Sequence, residues 1–316
     1  MSASVLPADA SVIEQAAPPA NAAPARAPAQ RDTICLESAR VLTQETFAGR
    51  QYVLRLQAPR CAARAEPGSF VHLTCDPAIA LRRPLSIMRA DPHEGWIELL
   101  YKVVGQGLDA LSKRVPGEEL SLLGPIGRGF TPHPARPRAL LIGGGVGVPP
   151  MVFLAERLCA RTDATWTPLV LMGSEIAFPF RARPSRIVVA GLPAGCIACM
   201  PLLDGIGVAS RLASRADFPG CFDGFVTALA EAWLASLGPA ELAQVEIFCC
   251  GPHAMLAACA DLARRYAVPC QASLEEFMAC GVGGCAGCTV LVRSASGTSM
   301  QRVCVDGPVF DALAVL

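Results

Sequence analysis

After an opening stretch rich in Ala and Pro, the chain from residue 34 to about residue 134 falls into short apolar-rich runs at 51–56, 69–74, 96–104 and 120–123, with Gly, Pro and Asp between them. Runs punctuated in this way predict the strands of a small antiparallel β-barrel, interrupted by no more than a helical turn or two at 108–114. Past Pro137 the pattern changes. A continuous apolar run at 138–142 reads as a buried strand, and it leads through a glycine-rich turn into a helical stretch at 150–160. Further strands are expected at 168–172, 186–190 and 245–249, with helices over 224–237 and 253–266. That alternation predicts a parallel sheet flanked by helices, as in nucleotide-binding domains. The C-terminal segment is rich in Gly and Cys and reads as a third, small module. The expected division is a disordered Ala/Pro-rich extension at 1–31, a barrel domain at 32–136, a nucleotide domain at 137–267 and the small module at 268–316.

Hydrophobic residues make up 52% of the 316 residues and charged ones 17%, enough apolar material for separate cores. Lys+Arg and Asp+Glu balance at 27 each. A neutral chain lacks the basic excess that draws proteins to nucleic acid or to anionic membranes, and neither is an expected partner. The mean hydropathy of +0.40 raises the question of a membrane span. The most apolar stretch, 139–155, is broken by Gly143, Gly144, Gly145, Gly147, Pro149 and Pro150. It falls short of the roughly 20 apolar residues that a spanning helix needs. The start of the chain carries neither the basic nor the apolar region of a secretory signal, so the expected compartment is the cytoplasm. There the 15 cysteines are not expected to form a disulfide framework, and most read as small buried hydrophobes.

Four cysteines need another account. Cys280, Cys285, Cys288 and Cys304 follow the spacing C-x4-C-x2-C-x15-C, with Gly281, Gly283, Gly284 and Gly287 among them. A [2Fe-2S] cluster takes four thiolates. The glycines free the loop to curl around the sulfides and let backbone N–H groups point at sulfur. A structural zinc site is the rival reading, although zinc favours paired C-x2–4-C knuckles and this run contains one. Cys196 and Cys199 form an isolated C-x2-C pair without a second pair or histidines nearby, and they read as structural.

The turn Gly143-Gly-Gly-Val-Gly-Val-Pro-Pro150 lies between a strand and a helix. Gly144, Gly145 and Gly147 there are suited to carry a dinucleotide pyrophosphate on backbone N–H groups. No Gly-Lys-Ser/Thr follows, so this is not a Walker loop. Arg83-Pro84-Leu85-Ser86 offers a guanidinium and a hydroxyl on one extended segment, suited to a flavin diphosphate and ring. Cys250-Gly251-Pro252 closes the strand at 245–249, where glycine permits close approach and the thiol suits the border of a nicotinamide. Ser174-Glu175, after the strand at 168–172, places a carboxylate where a free ribose diol would bind. NAD is therefore favoured over NADP, and Arg181 and Arg183 lie close by in sequence.

In this order the three motifs resemble the ferredoxin–NADP reductase superfamily. Together with the cysteine run and the ending Cys304-Val-Asp-Gly-Pro-Val-Phe310, they resemble the electron-transfer iron–sulfur subunits of type B, NAD-dependent dihydroorotate dehydrogenase, over about residues 34–310. The resemblance implies a flavin site at Arg83, Pro84, Leu85 and Ser86, at Leu100, Tyr101 and Lys102, and at Gly107 and Leu108. Many relatives carry threonine after that glycine, whereas Leu108 offers only its backbone N–H. It further implies that Cys280, Cys285, Cys288 and Cys304 ligate the cluster. The implied partner is a separate FMN-containing dihydroorotate dehydrogenase-type catalytic subunit, in a heterotetramer, with electrons running from dihydroorotate to NAD+.

NADH delivers two electrons as hydride and a [2Fe-2S] cluster takes one at a time, so a carrier able to do both belongs between them, and FAD fits. None of His72, His93, His133 and His253 has a partner constellation in the sequence, and no catalytic base is expected. The chain's task is then positioning and potential tuning. Three other readings share parts of this pattern. One is a diaphorase subunit of a hydrogenase, a sulfite reductase or an NADH–ferredoxin transhydrogenase; another is a stand-alone ferredoxin or oxygenase reductase; the last is a zinc-stabilised interaction module.

Overall fold

The computed structural model describes residues 34–316 apart from Ala164, so the expected extension at 1–31 lies outside the described residues. Six strands close an antiparallel barrel in the order β1-β2-β5-β4-β3-β6. They are β1 (Cys35–Phe47), β2 (Gln51–Gln57), β3 (Phe70–Leu73), β4 (Arg83–Asp91), β5 (Trp96–Lys102) and β6 (Glu119–Ile126). Alternation sorts their side chains. Leu54, Leu56, Val71, Leu73, Leu85, Ile87, Ile97, Leu99 and Tyr101 fill the barrel. The short helices α1 (Pro59–Ala62) and α2 (Gly105–Leu111) belong to the same unit, and Leu108 and Leu111 of α2 add to its core.

The second unit begins with β7 (Arg138–Gly144), a 3-10 turn at Gly145–Gly147 and α3 (Val148–Ala160). It continues through β8 (Leu169–Gly173), the small pair β9 (Arg183–Pro184) and β10 (Ala198–Cys199), α4 (Pro201–Gly205), β11 (Ala209–Ser214) and β12 (Phe222–Asp223). The helices α5 (Val226–Ala235) and α6 (Pro239–Leu242), then β13 (Val245–Cys250), α7 (His253–Tyr266) and β14 (Cys270–Ser273) follow. With β17 (Val309–Asp311) these strands make a seven-stranded sheet ordered β12-β11-β8-β7-β13-β14-β17, parallel except for the β14–β17 edge. The central strands are apolar on both faces because helices cover both sides; Leu140, Leu141, Ile142, Val170 and Leu171 are each fully buried.

One expected strand is absent and another takes its place. Residues 186–190 are irregular, and Val188 is 93% exposed. The β-branched run Ile187-Val-Val suggests a strand, but the position beside β8 belongs to β11. The irregular segment is tied down by polar contacts instead. Buried Asp204 accepts from Ser185 Oγ at 2.9 Å and from the Arg186 backbone at 3.1 Å, and Arg211 donates to the Ile187 carbonyl at 2.7 Å. Cys196 and Cys199 are both buried in this region.

Helix α3 carries two of the contacts that join the barrel to the sheet domain. Phe153 of α3 inserts into the barrel core, and Arg89 on β4 donates to Glu156 at 2.7 Å. The last unit is the cysteine loop, the hairpin of β15 (Thr289–Ser294) with β16 (Gly297–Arg302), β17 and the terminal α8 (Ala312–Val315). Its Cys288, Val303, Cys304 and Phe310 share one apolar core with Phe70 of the barrel and Ala272 of the sheet. Among the described residues no helix is long and apolar enough to cross a membrane.

Candidate functional site

A cleft of about 200 Å³ opens where the three units meet. One wall is the barrel surface. On β4, Pro84 and Ser86 face outward while Leu85 points into the barrel. On β5, Leu100 and Lys102 line the cleft from outside the barrel, whereas the Tyr101 ring is buried within it. Tyr101 stacks on Tyr52 at 5.3 Å and donates its hydroxyl to Gln44 at 2.8 Å, and burial raises its phenol above the ordinary range. The opposite wall brings Val146 of the glycine turn together with Leu274, Glu275, Glu276 and Met278, the residues leading to Cys280. Arg83 stands at the start of β4, where its guanidinium donates to the carbonyls of Leu81 and Arg82, at 2.7 and 3.3 Å. It lies against Gly107, where a β-carbon would come within 2.8 Å of Arg83 Nε. Among the described residues it forms no ion pair, so its charge is available to an anionic ligand.

The glycine turn and Cys250-Gly251-Pro252 follow neighbouring strands, because β7 and β13 pair with Gly143 opposite Cys250. They meet without room to spare. A β-carbon at Gly147 would sit 2.3 Å from the Cys250 carbonyl oxygen, and one at Gly144 would meet Pro252 and Met255. Such a junction at the C-terminal ends of parallel strands is where α/β sheets bind nucleotides. The Cys250 thiol is fully buried; desolvation and the nearby Glu275 carboxylate hold it above the ordinary range, so it stays protonated. Glu275 reaches solvent at the cleft mouth, yet the protein packed around it raises its carboxyl as well. Glu175, just past the end of β8, is exposed, and Arg183 leans toward Asp204 at 3.5 Å.

The four cysteines stand as two pairs. Cys280 Sγ accepts from the backbone N–H groups of Val282 and Cys285, each at 3.4 Å, and Cys285 Sγ accepts from Gly287 at 3.4 Å. Burial pushes the Cys280 thiol up, but the N–H groups aimed at it outweigh that and bring it down to about 7. Cys304 lies deeper, beside Cys288, whose Sγ accepts from the Cys304 backbone at 3.5 Å; burial raises the Cys304 thiol to about 12. Among the described residues no three Cys, His, Asp or Glu side chains gather tightly enough for one ion. Two pairs of thiols suit a two-iron cluster, in which each iron takes two protein sulfurs, better than one tetrahedral zinc.

Sequence reasoning passed over His72, Val146, Glu275 and Met278. Glu275 and Met278 could have been suspected from their place just before Cys280. His72 gave one signal, a lone polar residue in the strand Phe70-Val-His-Leu73. It is fully buried, and desolvation with the neighbouring Arg82 charge holds its imidazole below the ordinary range.

The family model for the iron–sulfur cluster binding domain of dihydroorotate dehydrogenase B matches residues 275–316. Over 284 residues the chain is 31% identical to the dihydroorotate dehydrogenase B (NAD(+)) electron transfer subunit of Desulforamulus reducens, covering 88% of this chain and 97% of that protein. It is 35% identical over 280 residues to the subunit of the same name from Geobacillus thermodenitrificans, covering 86% and 95%. Among solved structures it is similar to an NADH-dependent reduced ferredoxin-NADP oxidoreductase, with a TM-score of 0.69 at 23% identity over 88% of this chain and 89% of that one. A ferredoxin reductase of carbazole 1,9a-dioxygenase matches with a TM-score of 0.56 at 22% identity, over 75% and 67%. At those identities the two structures speak to the fold alone.

Proposed function

The chain belongs to the family of electron transfer subunits of NAD(+)-dependent dihydroorotate dehydrogenase B, and from that membership we propose that it carries electrons between a dihydroorotate-oxidising catalytic partner and NAD(H), through a [2Fe-2S] cluster and FAD. It is the NAD(H)-linked oxidoreductase component of an enzyme of pyrimidine biosynthesis, and the substrate chemistry belongs to the partner. When bound, the flavin exchanges two electrons with the nicotinamide and single electrons with the cluster.

The chain's own residues supply place and environment. Arg83 holds the flavin diphosphate, with Gly107 leaving room for the guanidinium. Pro84, Leu85, Ser86, Leu100, Tyr101, Lys102 and Leu108 shape the barrel wall of the flavin cleft, Tyr101 through its backbone. Gly144, Gly145 and Gly147 receive the dinucleotide pyrophosphate, and Cys250, Gly251 and Pro252 border the nicotinamide. Cys280, Cys285, Cys288 and Cys304 hold the cluster, with the N–H groups around Cys280 stabilising its thiolate. The observation that carries this reading is the shared wall: Leu274, Glu275, Glu276 and Met278 line the flavin cleft, and their segment runs directly into the first cluster ligand. The cytoplasm is the compartment this implies, since the ligating thiols must stay reduced. The test is the spectrum and metal content of the anaerobically purified chain. Flavin and iron–sulfur absorption with about two irons per chain is expected; a full complement of zinc and no iron overturns the reading.

A further inference from the structure

On β3, Val71 and Leu73 point into the barrel, while Phe70 belongs to the core outside it and His72 lies against Gly281 of the cysteine loop. The surroundings of His72 are unusual for a core histidine. The ring is fully buried, yet among the described residues neither Nδ1 nor Nε2 has a hydrogen-bond partner. It sits near the backbone carbonyls of Cys280 and Arg82 without reaching hydrogen-bond geometry. Arg82 does not complete it, because that guanidinium is engaged by the His72 and Ser121 carbonyls, at 3.2 and 2.7 Å, and by Ser121 Oγ. The ring also fills the space beside the loop. A β-carbon at Gly281, whose φ is +69°, would lie 2.8 Å from His72 Nδ1.

A buried ring nitrogen left without a partner is costly, and an apolar side chain would fill the same slot without that cost. We propose that His72 is a positioning residue for the cluster: it donates a ring N–H to the Cys280 carbonyl when the cluster is in place, and so fixes the first ligand against the barrel. His72 is also the cross-strand neighbour of Pro84, which lines the cleft. One residue on a rigid strand thereby sets the spacing between flavin wall and cluster loop. This inference rests on the [2Fe-2S] reading above.

The test uses the full chain, purified anaerobically with its FAD, as wild type, His72→Phe, His72→Asn and Gly281→Ala. Four quantities are read: iron per chain, the electron paramagnetic resonance spectrum of the reduced cluster, the rate of iron loss to a chelator, and FAD content. His72→Phe keeps the bulk and removes the N–H; Gly281→Ala pushes the loop off the ring. Both are expected to keep FAD, shift the resonance and lose iron about tenfold faster, the usual scale for a group that orients a metal ligand. His72→Asn, which restores a donor near Nδ1, should return most of the wild-type behaviour. A wild-type resonance and loss rate in His72→Phe overturns the proposal, as does equal damage in the Phe and Asn variants. Absence of a [2Fe-2S] signal in the wild type itself overturns the underlying reading and the proposal with it, and is distinguished by appearing before any substitution.

Discussion

Single residues carry charge and ligation here, and two of them can be removed with separable effects. Cys285 is exposed on its loop and packs no core, so Cys285→Ser should abolish the [2Fe-2S] signal while FAD content, read by absorbance after desalting, stays at wild type. Arg83 has no carboxylate partner among the described residues, and its guanidinium is the charge nearest to Gly107. Arg83→Ala should therefore weaken FAD binding by about 1.5–3 kcal/mol, a roughly ten- to hundredfold rise in Kd measurable by titration of the apoprotein. Unchanged retention on dialysis would place the flavin diphosphate elsewhere. The motif residues were visible in the sequence because each is a rare type at a fixed spacing. Glu275 and His72 left only the faint signals of a place before Cys280 and a lone polar residue in a strand, because their surroundings come from segments far apart in the chain: His72 from β3 and the cysteine loop, Glu275 from β14 and the strand ending in Cys250.

Elements turn those residues into sites, and the glycine turn shows how narrowly. Gly147 lies so close to the Cys250 carbonyl that Gly147→Ala must displace backbone, an overpacking that costs about 1–3 kcal/mol. The variant should bind NADH more weakly and melt earlier in a thermal scan, while its cluster spectrum is unaltered; a wild-type melting temperature would mean the junction is looser than described. At this scale the sequence was legible where local pattern and tertiary role agree. The helix His253–Tyr266, the strand Val245–Cys250 and the doubly buried β7 announce themselves through apolar periodicity. It misled at 186–190, where a β-branched run was outcompeted for the place beside β8 by β11, a strand of mixed small and charged residues. Buried Arg211 in that strand bonds the carbonyls of Ile187, Cys196 and Ser210, a tertiary role that no local pattern reveals.

Across the whole molecule the three units converge, with the cleft proposed for the flavin on one side of the segment 274–278 and the cysteine loop on the other. Beside that loop Phe277 is 94% exposed and Val282 47%, apolar side chains next to the proposed cluster ligands and free to meet a partner. Phe277→Ala should weaken binding of the catalytic subunit by about 2 kcal/mol or more, as truncation of an interface aromatic anchor does, with diaphorase activity unchanged. The described barrel, sheet domain and cluster unit occupy residues 34–316 and hold no (α/β)8 barrel of about 250 residues among them; membership in a family of electron transfer subunits implies that dihydroorotate chemistry belongs to a catalytic partner. The central claim is that electrons pass between that partner and NAD+ through the cluster. Its most direct test is dihydroorotate-dependent NAD+ reduction by the catalytic subunit reconstituted with this chain, comparing wild type with a Cys304→Ser variant that still holds FAD. The expected result is turnover with wild type only, while both forms pass electrons from NADH to an artificial flavin acceptor. Equal NAD+ reduction by the cluster-less complex would contradict the route.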